Sequence, residues 1–341
     1  MTKIEPGRTA IELASVEDVL ARSQRPGPHA TVIMQFPSPG QLGDDRMVRW
    51  HVRRSELVDA GASDASLAHL DELVEGLERR GETVLLSADD IDAAFCWLID
   101  QTVVQLAQVG PCLAMLAALD ELSERTPVIA AVVDHLGADL FELDRLDFTE
   151  IASVKGDHVQ THRHTGGDQA GYQRRAEAVY ERNADAIAGQ ITEHAVHAGA
   201  QLVVLTGDDR EAAAVIDHLD THRFTVVAVQ AGSRHDPHVA DRLRRAAIEQ
   251  SLIQRRTRRA AAVAQLREEL GRHALGIEGR DATATAIAES RVATTFIDRE
   301  AIADDIDALA RDTLLYGGTV VVADDLGAAD GVAAILRYAP R

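Results

Sequence analysis

The segment HVQTHRHTGGDQ, His158 to Gln169, places three histidines, two adjacent glycines, an acid and an amide in one short run. His158, His162 and His164 are the residue type that binds zinc, but such a site needs three or four converging ligands. No cysteine or glutamate stands at a suitable spacing nearby, so the run reads as a solvated polar loop with no metal. Gly166 and Gly167 widen the backbone conformations open to its tip, Gly166-Gly167-Asp168-Gln169. Arg174 and Arg175, two candidates for RNA contact, follow at the start of an amphipathic stretch. Farther on, residues 238–272 hold nine arginines and four acids, a local net charge of +5 in a chain whose formal charge is -20. Guanidinium groups pair with phosphate without reading sequence, so Arg255, Arg256, Arg258 and Arg259 are candidates for RNA backbone contact. A solvated arginine face is the alternative reading.

Other motifs weigh less. Gly207-Asp208-Asp209 follows a β-like run, where backbone N–H groups meet anions. Its two acids repel phosphate, and one of them is expected to cap a helix. Glu193, His194 and His197 lack the HExxH order. No GxGxxG, GxxxxGK[ST] or GxSxG occurs.

The elements that must position these residues follow from pattern. The chain has 341 residues, 46% of them hydrophobic and 26% charged, too many for one ordinary core. Alternating strand-like and helix-like runs predict an α/β fold of three consecutive domains, 1–126, 127–235 and 236–341. The first holds a short helix over 15–22, a strand over 30–36, helices over 46–59 and 65–80, and further strands. The second opens on PVIAAVVDHLGADLFEL, a hairpin turning at Gly137. The loop follows, and then a helix over 174–198 whose apolar stripe is interrupted by Asn183. Strand, helix and strand over 202–230 complete it. The third opens on a long basic helix, with Asp236 as cap and Pro237 in its first turn, running to about Arg272.

Charge and cysteines bound the function. A net charge of -20 argues against a global nucleic-acid footprint and against DNA, so any RNA contact is local. Cys96 and Cys112 sit in apolar surroundings and fit buried thiols in a reducing compartment. The N-terminus lacks a signal-peptide pattern and no run of 18 apolar residues occurs, which predicts a cytoplasmic protein without a membrane partner.

Taken in order, VVDHLGADLF, the His-rich loop, Gly166-Gly167-Asp168-Gln169, the Arg174-Arg175 helix, LVVLTG, the long basic helix and the terminal DGVAAILRY resemble the bacterial branch of the archaeo-eukaryotic class-1 release factor and Pelota superfamily. The nearest likeness is to actinobacterial relatives of the hibernation factor Balon. The resemblance implies a protein of three domains that enters the ribosomal A site, the loop of its second domain approaching the peptidyl-transferase centre. In release factors of this superfamily a Gly-Gly-Gln tip helps place water at the peptidyl-tRNA ester. Here Gly166, Gly167 and Gln169 match and Asp168 intervenes. One inserted residue shifts the reach of the amide by about 3.5 Å. Its carboxylate also opposes the oxyanion that hydrolysis develops. The Asn-Ile-Lys-Ser motif of stop-codon reading is absent, and the chain has only two lysines, Lys3 and Lys155.

Three readings follow. The first is a non-catalytic ribosome-binding factor of idle or stalled ribosomes, acting in hibernation or rescue. Its partner is ribosomal RNA, with tRNA and a translational GTPase as further candidates, and it needs no cofactor. The second is a release factor or peptidyl-tRNA hydrolase using Gln169. The third is an interaction protein that kept the fold without ribosome binding.

Overall fold

A computed structural model describes residues 10–36, 45–77, 83–98, 106–122, 126–144, 147–157, 169–272, 274–301 and 305–338. Of the candidate tip, Gly166, Gly167 and Asp168 lie outside these residues, as do the three loop histidines. The described chain is mixed α/β and forms three sheets.

The first sheet comprises β1 (Ala10–Glu12), β2 (His29–Gln35), β3 (Thr83–Ala88), β4 (Ala93–Leu98) and β5 (Leu106–Gly110), in the order β1-β4-β3-β2-β5. It carries α1 (Val16–Ser23), α2 (Asp45–Asp59), α3 (Asp64–Gly76) and α4 (Leu116–Leu122). Helix α1 starts where sequence chemistry dictates. The Ser15 hydroxyl accepts from the Asp18 amide, and the Asp18 carboxylate accepts from the Ser15 amide, which satisfies two end groups of the helix at once.

The central sheet has the order β10-β9-β6-β7-β8, built from β6 (Val128–Asp134), β7 (Gly137–Asp144), β8 (Asp147–Lys155), β9 (Leu202–Gly207) and β10 (Thr225–Ala228). Strands β6, β9 and β10 run parallel, while β7 and β8 continue antiparallel from β6. VIAAVVD is apolar on both faces because both are covered. Ile129, Ala131 and Val133 pack beneath α5 (Gln169–Ala198) and α6 (Asp209–Asp217). Val128, Ala130 and Val132 pack against Val239, Leu243 and Ala247 at the start of α7 (Val239–Gly271).

The third sheet, β11-β14-β12-β13, consists of β11 (Gly276–Glu278), β12 (Val292–Asp298), β13 (Thr319–Ala323) and β14 (Val332–Leu336), with α8 (Arg280–Ala288) and α9 (Ile306–Leu315). Val263 and Leu266 of α7 join its core beside Phe296 and Leu326.

The chain divides into two compact units, one of residues 1–124 with 257–341 and one of residues 125–256. In the first unit the first and third sheets share a continuous core, with Ile33, Leu85 and Leu119 in the same cluster as Ile297, Leu309 and Val332. The Asp307 carboxylate at the start of α9 accepts from the backbone N–H groups of Met115 and Leu116, at 2.8 and 3.3 Å, and so caps α4 from nearly 200 residues away in sequence. The expected boundary at 126/127 lies beside this division. The one at 235/236 precedes α7, whereas the compact units divide within that helix.

Three sequence expectations differ from the structure. Helix α7 begins at Val239, two residues after Pro237. Asp236 still serves its entry, accepting from the His238 amide and pairing with Arg242. Asp208 occupies the N-cap position of α6 with extended backbone, but its side chain makes no capping bond. Strand β8 forms where the pattern predicts loop. Its alternation is broken where Leu140 pairs with Ala152 and Phe141 with Glu150, leaving Ile151 as an extra residue.

Candidate functional site

The described residues nearest in sequence to the Gly166–Gln169 segment belong to three elements of the central unit. The first is the β6–β7 turn. Leu136 donates its amide to the Asp134 carboxylate at 2.7 Å, a local turn bond typical of aspartate. Gly137 sits at φ +151, and a Cβ there would stand 2.0 Å from the Val154 carbonyl oxygen of the adjacent strand. Only glycine fits that approach.

An arginine distant in sequence clamps this turn. Arg234 donates to both carboxylate oxygens of Asp139, at 3.0 and 2.8 Å, and to Asp134 at 3.3 Å. Ser153 of β8 also donates to Asp139. The Arg234 hydrogen bonds therefore hold the Asp139 carboxyl below its ordinary pKa, while Asp139 raises that of Arg234.

The second element is the exit of β8. The Gly156 amide donates to the Leu136 carbonyl at 2.7 Å, joining the strand end to the turn. The third is α5. Its buried stripe runs Ala184, Ile187, Ala188, Ile191 and Ala195, preceded by Asn183 at 5% exposure. The Asn183 carbonyl oxygen accepts from the Asp157 amide at 2.8 Å. Its NH2 group donates to the carbonyls of His135 at 3.0 Å and Asp157 at 3.1 Å. Tyr180, one turn earlier, meets the His135 ring edge-on at 6.3 Å and lies beneath the Arg210 guanidinium at 5.9 Å.

Gln169 is the first residue of α5. At a rise of about 1.5 Å per residue it lies some 21 Å along the helix from Asn183. Arg174 is exposed on the same helix. The side chain of Arg175 is outside the described residues.

The arginine strip of α7 separates into two groups. Arg255 and Arg259 are buried, at 8% and 9% exposure. Arg259 pairs with the buried Asp120 of α4, whose other carboxylate oxygen takes Arg299 at 2.8 Å. These two arginines point inward, which corrects the expectation of four phosphate-facing guanidiniums. Arg256 is exposed, as is Arg245 three turns before it, while Arg258 is half-buried. In the sequence, Asn183 stands out as an anomaly in an apolar stripe. Nothing there signals Arg234 or Asp120, whose partners are far away along the chain.

Among the described residues no group of three or more His, Cys, Asp or Glu side chains could hold a metal ion. No helix among them is long and apolar enough to cross a membrane. Cys96 and Cys112 are buried thiols outside any disulfide, and burial pushes the Cys112 thiol up to about 11, so it stays protonated near neutral pH.

Residues 127–272 match the family described as bacterial archaeo-eukaryotic release factor family 2. That segment holds these three elements and all of α7. The match spans 146 of the 341 residues, and the likeness to bacterial release factor relatives is a property of that segment. No curated protein matches the sequence. Among solved structures, the chain is similar to archaeal Pelota from a ribosome-bound assembly with ABCE1, at 12% identity and TM-score 0.47, covering 97% of this chain and 96% of that one. It is also similar to S. cerevisiae Dom34, described as interacting with Hbs1, at 11% identity, TM-score 0.42 and coverage of 96% and 93%. The archaeal termination factor aRF1 aligns at 12% identity, TM-score 0.26 and coverage of 95% and 96%.

Proposed function

We propose that this chain is a ribosome-associated translation factor that occupies the A site of idle or stalled ribosomes without hydrolysing peptidyl-tRNA. The observation that carries the reading is the family match over residues 127–272, a segment whose loop has the order Gly166-Gly167-Asp168-Gln169. The family supports ribosome association. Asp168 supports a non-catalytic role, because it changes the register of Gln169 and brings a carboxylate to where negative charge would develop.

In this reading Gly166, Gly167, Asp168 and Gln169 dock near the peptidyl-transferase centre. The exposed guanidiniums of Arg174, Arg245 and Arg256, together with Arg175, meet ribosomal RNA or tRNA. Phosphate pairing of this kind gives affinity that weakens with salt. A translational GTPase is the partner proposed for delivery, and hibernation or rescue the setting.

The test joins co-sedimentation with 70S ribosomes to peptide release from ribosome-bound peptidyl-tRNA. The expected result is co-sedimentation with no release, unchanged in Gln169→Ala. Release by the wild type that Gln169→Ala abolishes would establish hydrolysis in its place. Failure to co-sediment would leave a fold retained for another interaction.

A further inference from the structure

His29 is the first residue of β2 and is wholly buried. Its ring nitrogen Nε2 lies 3.3 Å from the Arg25 carbonyl oxygen, which can only accept, so the proton of the neutral imidazole belongs on Nε2. Nδ1 then carries a bare lone pair, and among the described residues no hydrogen-bond partner reaches it. A second proton would sit on Nδ1 as a buried charged donor without an acceptor. The charges around the ring are already matched. Arg22 of α1 and Arg25 in the turn after it both pair with Asp89 and Asp92 of the β3–β4 turn. Arg22 and Asp89 are themselves buried. Arg22 also donates to the Asp92 carbonyl at 2.8 Å, and Asp89 closes its turn by accepting from the Ile91 and Asp92 amides at 2.8 and 3.0 Å. From β5, the residue opposite His29 is Gly110, which brings no charge. From α3, His69 meets the same turn, 3.1 Å from the Asp89 carbonyl. Two guanidiniums and two carboxylates thus balance one another beside the ring, and neither carboxylate is left over for a third cation. Burial holds the His29 pKa below its ordinary value, against the bond to the Arg25 carbonyl and with the repulsion of Arg22 added to it.

We propose that His29 is an acid-sensitive latch of the first sheet: neutral, it leaves Arg22 and Arg25 to clamp α1 to the β3–β4 turn, and protonated, it sets a third cation beside them and opens that clamp. The opening is local, because the clamp ties one helix to one turn while β2, β3 and β4 keep their ladder. An apolar side chain would fill the same place without any response to pH. The sign follows from the buried ring. The unfolded chain takes up the His29 proton below about pH 6.5 and the native state holds it off, so the contribution of His29 is complete above that pH and lost as pH falls toward the lowered value. The latch belongs to the free chain and does not depend on ribosome binding.

The experiment uses the full chain, wild type and His29→Gln, from neutral to mildly acidic pH. In the wild type, NMR of the imidazole should show the Nε2–H tautomer at neutral pH and no titration in step with the exposed His51 and His222. Below about pH 6.5 the exchange protection of the Ile91 and Asp92 amides should fall by up to about tenfold per pH unit, the effect of one proton, while amides of β6 and β12 keep theirs. His29→Gln keeps a donor for the Arg25 carbonyl and carries no charge, so it should hold that protection constant over the same range. An imidazole that titrates with the exposed histidines while the turn stays protected would overturn the latch. Equal loss of protection in all these amides would overturn it too, leaving His29 as a contributor to overall stability alone. The same acid-side loss at Ile91 and Asp92 in His29→Gln would assign the response to another group. Should His29→Gln fail to fold, the wild-type titration and the contrast between turn and sheet amides decide by themselves.

Discussion

The two long helices bury a polar residue in opposite ways. In α5, Asn183 is neutral and holds backbone groups at the base of a loop. In α7, Arg259 is charged and pairs with Asp120, which also holds Arg299. A buried neutral amide fixes where a backbone goes and can be matched fully by hydrogen bonds. A buried ion pair resists the loss of either partner, since the survivor is left as an uncompensated charge. So the buried amide of α5 joins the β6–β7 turn to the end of β8, and the buried arginine of α7 joins that helix to α4. The difference also reassigns positive charge. Arginines that look like one RNA strip in sequence divide into Arg255 and Arg259 inside and Arg245 and Arg256 outside.

The largest effect expected on this comparison is from Asp120→Ala, which takes a carboxylate from two guanidiniums, one of them buried. It should lower unfolding free energy by about 3–5 kcal/mol, measured by urea denaturation. A change near zero would mean that Arg259 and Arg299 find solvent, and the contrast between the helices would disappear. Asn183→Leu should cost about 1–3 kcal/mol for each backbone group that stays unpaired and out of reach of water, less than Asp120→Ala when only one of the three does.

A subtler effect separates two carboxylates by pH. Asp139 has a pKa lowered mainly by Arg234. Its native state releases the proton earlier than the unfolded chain, so its contribution is present above the ordinary carboxyl range and lost as pH falls through the depressed value. Asp307 has a pKa raised by burial, despite the two amides it caps. The native state keeps that proton longer, so its contribution is present below the ordinary range and declines as pH rises through the raised value. Asp139→Asn should therefore flatten the acid-side loss of stability, and Asp307→Asn should remove a decline toward neutral pH. Identical pH profiles for wild type and variants would contradict both assignments.

The smallest effect on stability is expected from Arg245→Ala with Arg256→Ala, both exposed, within about 0.5 kcal/mol. The same pair should reduce the salt slope of ribosome binding by about one unit for each phosphate that no longer has its guanidinium. An unchanged slope would leave these arginines as a solvated face.

Much of the fold is legible in the sequence for reasons visible at particular residues. VIAAVVD reads as a strand and Gly137 as its turn, because a short apolar run ending at a glycine leaves few alternatives. Strand β8 is not legible, since the bulge at Ile151 breaks the period that marks a strand. Nor is the shared core of the first and third sheets, because it gathers residues as far apart in the chain as Ile33 and Val332. For the site, the Gly166–Gln169 order and Asn183 are visible as oddities of composition. The partners of Asn183 are not, because its bonds go to backbone groups, and any residue at 135 or 157 supplies those. The direction of each arginine on α7 is hidden for a related reason, since that of Arg259 depends on a carboxylate 139 residues away.

The central claim is that the 125–256 unit brings its loop into the ribosomal A site. Electron cryomicroscopy of the wild-type chain mixed with idle 70S ribosomes tests it most directly. The expected result is density for the protein in the A site, with the Asn183 bonds to Asp157 and His135 intact and the segment 158–168 directed at the peptidyl-transferase centre. Empty A sites at saturating protein, or a bound chain with that loop facing solvent, would contradict it.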